Sequence, residues 1–188
     1  VHNSLYMPSD DYAQRASAYL EQCIKEQDSS GGIVECRING MPAGIGDPVF
    51  QKLDACLARA LMSIGAVKGI EIGDGFEAAA SKGSINNDAF LNCQGNICKK
   101  TNHSGGTLGG LSDGSPIILR AAIKPTPSIS KPQQTVTREG EETTITITGR
   151  HDPVIVPRAV VVVESMAAIT IADLLMTGMS SNMENLLK

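Results

Sequence analysis

Apolar residues fall at helical spacing in some stretches of the 188-residue chain and alternate with polar ones in others, and the change of period marks out the elements. Tyr12, Ala16, Tyr19, Leu20, Cys23 and Ile24 make one face of a first helix. Ser9, Asp10 and Asp11 stand in front of it: a serine oxygen accepts orphan amide hydrogens of a first turn, and acids suit the positive end of the dipole. From Ile33 to Ile38 the period drops to two, with Val34, Cys36 and Ile38 on one side, which predicts a strand. Residues 39–46 read as a loop. Phe50, Leu53, Leu57, Leu61 and Ile64 then form a stripe behind the cap and first-turn pair Asp47 and Pro48, so the pattern predicts a helix over 48–64, ended by Gly65. Val67 to Ile72 is a short strand running into GDGFEAA. Residues 81–101 carry Gly, Asn, Asp and Lys with neither period and are expected to be an excursion loop.

The same reading continues to the other end. In residues 116–123, Ile117, Leu119, Ala121 and Ile123 face one way and Ile118, Arg120 and Ala122 the other, a side shared with Lys124. Residues 136–148 read as a hairpin turning near 139–141, whose end delivers Arg150, His151 and Asp152 in adjacent positions. A last helix follows Pro157 and fades near Gly178, leaving 179–188 as a polar tail. Its apolar run from Ala159 to Met176 is interrupted by Glu164 and Asp173, two carboxylates that a membrane span of about 20 residues would not welcome. A buried helix is expected there. Helices and strands mix without a regular β-α-β rhythm, so layers of the α+β class are expected, in one domain over 1–188.

Composition narrows the partners. Hydrophobic residues at 41% suffice for a core, while 3% aromatic content and no Trp leave few platforms for stacking bases. The net charge of -4 argues against a broadly basic nucleic-acid or membrane surface, so an anion site here has to be a local pocket of cations. The cysteines (Cys23, Cys36, Cys56, Cys93, Cys98) are odd in number and no signal peptide opens the chain, which leads us to expect reduced thiols in a cytoplasmic protein. Cys93, Cys98 and His103 match no strong zinc spacing, and no metal is expected. The chain opens at Val1 without an initiator Met, which suggests a fragment.

Three stretches stand out for chemistry. NHSGGTLGGLSDG, residues 102–114, has glycines that let backbone approach a ligand, although it lacks the Walker lysine and reads equally as a tight turn. KPTPSISKP, residues 124–132, braces Lys124, Thr126 and Ser128 in extended backbone, suited to a phosphate or flavin edge or else to a protected edge strand. TGRHDPVIVPRAV, residues 148–160, sets the planar fork of Arg150 beside Asp152, a carboxylate that such a cation can pair with; His151 is either an acid–base group or a polar side chain at the surface. No Ser-His-Asp or Cys-His arrangement supports covalent hydrolysis.

Taken in order, MPAGIGDPVFQKLDACLARALMSIGAVKGIEIGDGFEAA, GGTLGGLSDGSPI, KPTPSI and GRHDPVIVPRAVVVVE resemble the C-terminal half of chorismate synthase, from about Gly40 to Glu164. The resemblance implies helices packed between antiparallel sheets, a layered β-α-β sandwich forming about one half of a duplicated core. It implies a lyase that removes phosphate from 5-enolpyruvylshikimate 3-phosphate to give chorismate, with reduced FMN as cofactor, NADPH as a reductant in some members, and a homotetramer. Residue by residue, the family's flavin contacts fall on Gly65, Ala66, Gly109, Gly110, Lys124, Pro125, Thr126, Pro127, Ser128 and Arg150, and its proton-handling carboxylate on Asp152. Gly65 stands where the family often has Asn, so only backbone contact carries over there. The family's N-terminal motifs, of the Gly-Glu-Ser-His-Gly and Arg-Ser-Ala-Arg types, are absent from these residues, so a missing half is implied as partner. Two other readings stay open: a structural or interaction module without chemistry, and a general nucleotide-binding module resting on the glycines alone.

Overall fold

The computed structural model describes residues 3–149 and 151–180. In chain order these form α1 (Asp10–Lys25), β1 (Gly32–Ile38), α2 (Leu53–Met62), β2 (Val67–Ile72), a 3-10 turn (Gly75–Ala80), α3 (Gly83–Asn86), β3 (Phe90–Cys93), β4 (Asn96–Lys99), β5 (Thr107–Leu108), β6 (Leu111–Ser112), β7 (Ile117–Ile123), β8 (Gln133–Val136), β9 (Glu142–Ile145) and α4 (Val156–Ser180). A three-stranded sheet of order β1-β7-β2 is accompanied by the antiparallel hairpins β3–β4, β5–β6 and β8–β9. The fold is mixed α+β, as the interleaved periods predict, with antiparallel sheets, as the family resemblance implies. The chain divides into two compact units, Val1–Gly32 with Ile123–Val160, and Ile33–Ala122 with Val161–Lys188.

In the first unit α1 starts where its cap predicts: Ser9 is extended and its Oγ accepts the Tyr12 amide at 3.4 Å. The β8–β9 hairpin pairs Gln133 with Ile145 and Val136 with Glu142, so its first strand lies earlier than the apolar pattern suggests. Thr137 donates its amide to Glu141 O across the turn. Residues 123–131 are fastened to 28–31 by the Ser29 hydroxyl on Thr126 O (2.7 Å) and the Lys131–Asp28 ion pair (3.2 Å). At Gly31 a Cβ would stand 2.4 Å from Ile123 O, so the close approach of these segments requires glycine.

The second unit holds the core. Leu53, Leu57 and Leu61 of α2 are fully buried, as are Ile117, Leu119 and Ala121 on the inward face of β7, and α4 contributes Val163, Ala167, Ile171 and Leu174. Each fully buried aliphatic of this size contributes about 1.5–3 kcal/mol of transfer free energy.

Four expectations need correction. The helix predicted over 48–64 is α2 over Leu53–Met62, because Asp47 and Gln51 exchange backbone hydrogen bonds in a closed turn and the Leu53 amide is taken by Gly110 O (2.8 Å) in place of a side-chain cap. Residues 81–101 are not loop throughout: Lys82 O accepts from the Ile85 and Asn86 amides in α3, and β3 and β4 pair from Phe90–Lys99 to Cys93–Asn96. Cys93 and Cys98 are joined by a disulfide, since the tight turn sets them on one side of that ribbon, while Cys23, Cys36 and Cys56 are free. Finally, α4 is not a buried helix: by length and composition Val156–Met179 could cross a membrane, with mean hydropathy 2.0, and 22% of its apolar window is buried. Only one stripe faces the core, and Val161, Ile169, Met176 and Met179 are exposed.

Candidate functional site

The glycine-rich segment 102–114 of the second unit is held at both ends by buried carboxylates. It folds into the β5–β6 hairpin, with Gly109 (φ 59°) and Gly110 (φ 90°) at the turn. No atom outside its chain neighbours lies within 4 Å of where a Gly109 Cβ would stand, so backbone is bare to open space there, while Gly110 packs against the Lys52 side chain. Its entry is fixed by Asp88, whose Oδ1 accepts the Thr101 hydroxyl (2.7 Å) and His103 amide (2.8 Å) and whose Oδ2 accepts the Ser104 amide (3.0 Å) and hydroxyl (2.9 Å). Its exit is fixed by Asp113, which accepts the Ser115 amide. Lys99 joins the two ends: Nζ lies 3.6 Å from Asp88 Oδ2, donates to Ser104 Oγ at 3.0 Å and forms an ion pair with Asp113. All three charged side chains are at most 7% exposed.

Burial alone would push the Asp88 carboxyl up; the Ser104, Thr101 and His103 donors outweigh it and hold the group well below the usual carboxylate range. Asp113 is treated alike, with burial opposed and overcome by Lys99 and Ser115. Ser112, 3% exposed, sews the turn to residues 42–45 by donating to Pro42 O (2.6 Å) and accepting the Ile45 amide (2.8 Å). Gly73 N donates to Ile118 O, and His103 Nδ1 lies 2.6 Å from Asp74 Oδ2.

Gly65 and Ala66 follow α2. Gly65 has open space around its missing side chain, and Ala66 is held at φ 70°, a left-handed conformation that costs a Cβ-bearing residue about 1–2 kcal/mol. Such strain tends to collect at ligand sites. Arg120 is spoken for: its guanidinium donates to Gly73 O (2.8 Å) and lies 3.2 Å from Glu71 Oε2.

In the first unit Lys124, Pro125 and Pro127 are exposed, and Thr126 Oγ1 is buried without a hydrogen-bond partner. An orphaned buried hydroxyl is costly unless something completes it. Asp152 and His151 line a cleft of about 160 Å³ with Ile24, Asp28, Ser29 and Ser130. His151 Nε2 lies 3.2 Å from Ile147 O. Asp152 pairs with Arg158, both half-exposed or more. Arg150 lies outside the described residues. Its expected pairing with Asp152 lies outside them too; among the described residues Asp152 pairs with Arg158. The predicted residues therefore fall into two groups: Gly65, Ala66, Gly109 and Gly110 in the second unit, Lys124 through Ser128 and Asp152 in the first. Sequence reasoning missed Asp88, Lys99, Ser112, Asp113 and Arg158. Of these only Arg158, next to Pro157 in the charged stretch, carried a visible signal.

Comparison with known proteins supplies the frame for these groups. Residues 1–176 match the sequence model of the family described as chorismate synthase, a longer match than the motifs alone delimit. The chain is 64% identical over 185 residues to the chorismate synthase of Agathobacter rectalis, covering 98% of this chain and 50% of that protein. It is 65% identical over 181 residues to that of Lachnoclostridium phytofermentans, covering 96% and 49%. A crystal structure of chorismate synthase superposes with a TM-score of 0.75 at 32% identity, over 92% of this chain and 45% of that one. The chain thus spans about half the length of the relatives it matches. The match to the family model over residues 1–176, together with relatives at 64% and 65% identity, shows that the chain belongs to the chorismate synthase family of enzymes.

Proposed function

We propose that the chain is one half of a chorismate synthase, a lyase that eliminates phosphate from 5-enolpyruvylshikimate 3-phosphate to give chorismate. The observation that carries this is the 64% identity over 98% of the chain to a protein of that name. It favours the enzyme over a purely structural module. The relatives' double length supports a second half as partner, and the exposed side of α4 suits it: Val161, Ile169 and Met176 are 59–64% exposed in a run too apolar for lasting contact with water. A homotetramer and a cytoplasmic location belong to the same proposal.

Reduced FMN is the cofactor of this reading, with NADPH a reductant, and the residues fit it. Gly109 offers bare backbone beside open space, and Thr126 Oγ1 is a buried hydroxyl awaiting a partner. In the second unit Gly65, Ala66, Gly109 and Gly110 are the proposed backbone contacts; in the first, taken by itself, Lys124 to Ser128 are the proposed contacts of a flavin edge. When bound, an electron-rich flavin lends charge as phosphate leaves and recovers it when the proton goes. Lys124, exposed and flexible, acts as a point charge for an anionic group, and Arg150 as a planar fork. Asp152 is the proton-handling carboxylate of this reading: it lines the cleft, and Arg158 pairs with it.

Anaerobic titration of reduced FMN and the phosphate substrate tests the reading, using the chain alone and with the N-terminal half of the Agathobacter rectalis relative. Chorismate should form only in the mixture. If the two halves associate and bind flavin yet yield none, the assignment is wrong.

A further inference from the structure

Cys93 and Cys98 close the tip of the β3–β4 ribbon, and the geometry points to this pair as a redox modification site, a dithiol converted to a disulfide and back, whose state sets the order of the glycine-rich loop. The ribbon has only four paired positions a strand and turns through Gln94 (φ 55°) and Gly95 (φ 89°). Cys93 pairs with Asn96, and the period of two returns Cys98 to the same side, with the two Cα atoms 6.0 Å apart. Cys93 is exposed and Cys98 partly so, which leaves the sulfurs open to a small thiol reagent. A two-stranded ribbon is marginal in water by itself. This one gains little from packing, because Phe90, Leu91 and Ile97 are 62%, 44% and 83% exposed. The covalent link therefore restrains its tip, while Lys99 and the Lys100 amide on Ala89 O hold its base.

What the ribbon holds gives that restraint a target. Lys99 ends β4 one residue after Cys98, on the opposite side, with its ammonium 5.9 Å from the Phe90 ring centre. That ammonium is the cation joining Asp88 to Asp113, and Asp88 stands two residues before β3 begins. Both strands thus lead directly into the clamp on residues 104–113. When the ribbon frays, Lys99 can withdraw, and two carboxylates nearly closed off from water lose their counter-charge. A buried charge without a partner opens its surroundings to solvent.

The chemistry balances with a low-molecular-weight disulfide, RSSR, as oxidant. One cysteine thiolate attacks RSSR, forming a mixed disulfide and expelling RS⁻, which takes up the proton lost by the thiol. The second cysteine attacks the mixed disulfide at the protein sulfur, closing Cys93–Cys98 and releasing a second RSH. Two electrons pass from the protein to RSSR, and a dithiol reductant reverses the steps. In cytosolic proteins such pairs usually act as sensors rather than staples. The effect on catalysis rests on the flavin reading; the effect on loop order does not.

The test equilibrates the chain with oxidised or reduced glutathione, counts thiols by mass after alkylation, and follows amide hydrogen exchange at residues 105–112. Oxidation should remove two thiols and slow exchange there about tenfold. Cys93→Ser and Cys98→Ser should each exchange at the reduced rate in both buffers. The proposal fails if Cys93 and Cys98 stay alkylatable in excess oxidised glutathione, or if exchange is equal in the two verified states. Reduced FMN is titrated separately: exchange that responds while no flavin binds in either state removes the flavin reading and leaves this one.

Discussion

Asp152 and Arg158 face each other at the surface, and an exposed pair of this kind contributes at most about 1 kcal/mol to stability. Under the proposed function this carboxylate handles a proton, a role worth far more to the reaction. Asp152→Ala in the two-half enzyme should therefore lower kcat by about 10²-fold or more while thermal melting barely moves, as steady-state rates and a melting curve will show. Unchanged turnover would remove Asp152 from the mechanism. Gly73 gives the opposite profile: a Cβ there would stand 2.1 Å from His103 O at φ 58°. Gly73→Ala should cost at least about 1–2 kcal/mol in urea denaturation. At this scale Asp152 and Arg158 were both visible as charges in one stretch of the sequence, but their pairing was not. Which arginine turns back on a carboxylate depends on backbone direction after Pro153, and no periodicity reports that.

Elements are held by two different devices. Leu57 on α2 is fully buried, so Leu57→Ala should cost about 2–5 kcal/mol, measured by denaturant unfolding. The glycine-rich hairpin has almost no core of its own and relies on the Asp88–Lys99–Asp113 clamp. Lys99→Met should destabilise by about 3–5 kcal/mol, since it leaves two buried carboxylates uncompensated. The same clamp gives a pH dependence. Both carboxyls are depressed in the folded state, so their contribution is complete above the ordinary carboxylate value of about 4 and is lost as pH falls through the folded values. Unfolding free energy should drop below about pH 4, and Asp88→Asn should flatten that drop. Strands β1 and β7 were plain in the sequence because one side of each is more buried than the other. The start of α2 and the β3–β4 ribbon were hidden: the first is decided by a carbonyl at Gly110, the second by a turn whose strands bury little.

For the whole molecule, the exposed apolar side of α4 predicts behaviour in solution. The chain alone should self-associate with rising concentration in light scattering, and addition of the complementary half should suppress it. A monodisperse monomer at high concentration would mean that this side is content in water. The class of fold and the family were legible because several spaced motifs recur in one order; the buried polar clamp was not, since Asp88, Lys99 and Asp113 look like ordinary loop residues until the chain closes. Ser112 carries one more consequence. Its hydroxyl binds segments 67 and 70 residues earlier, so residues 42–45 leave the ribosome long before their partner exists. The loop leading into α2 must stay open through that interval, and contacts so distant in sequence slow folding. A nascent chain halted at residue 111 should be cut by protease near Gly44, and one extended far enough to free Ser112 from the exit tunnel should resist.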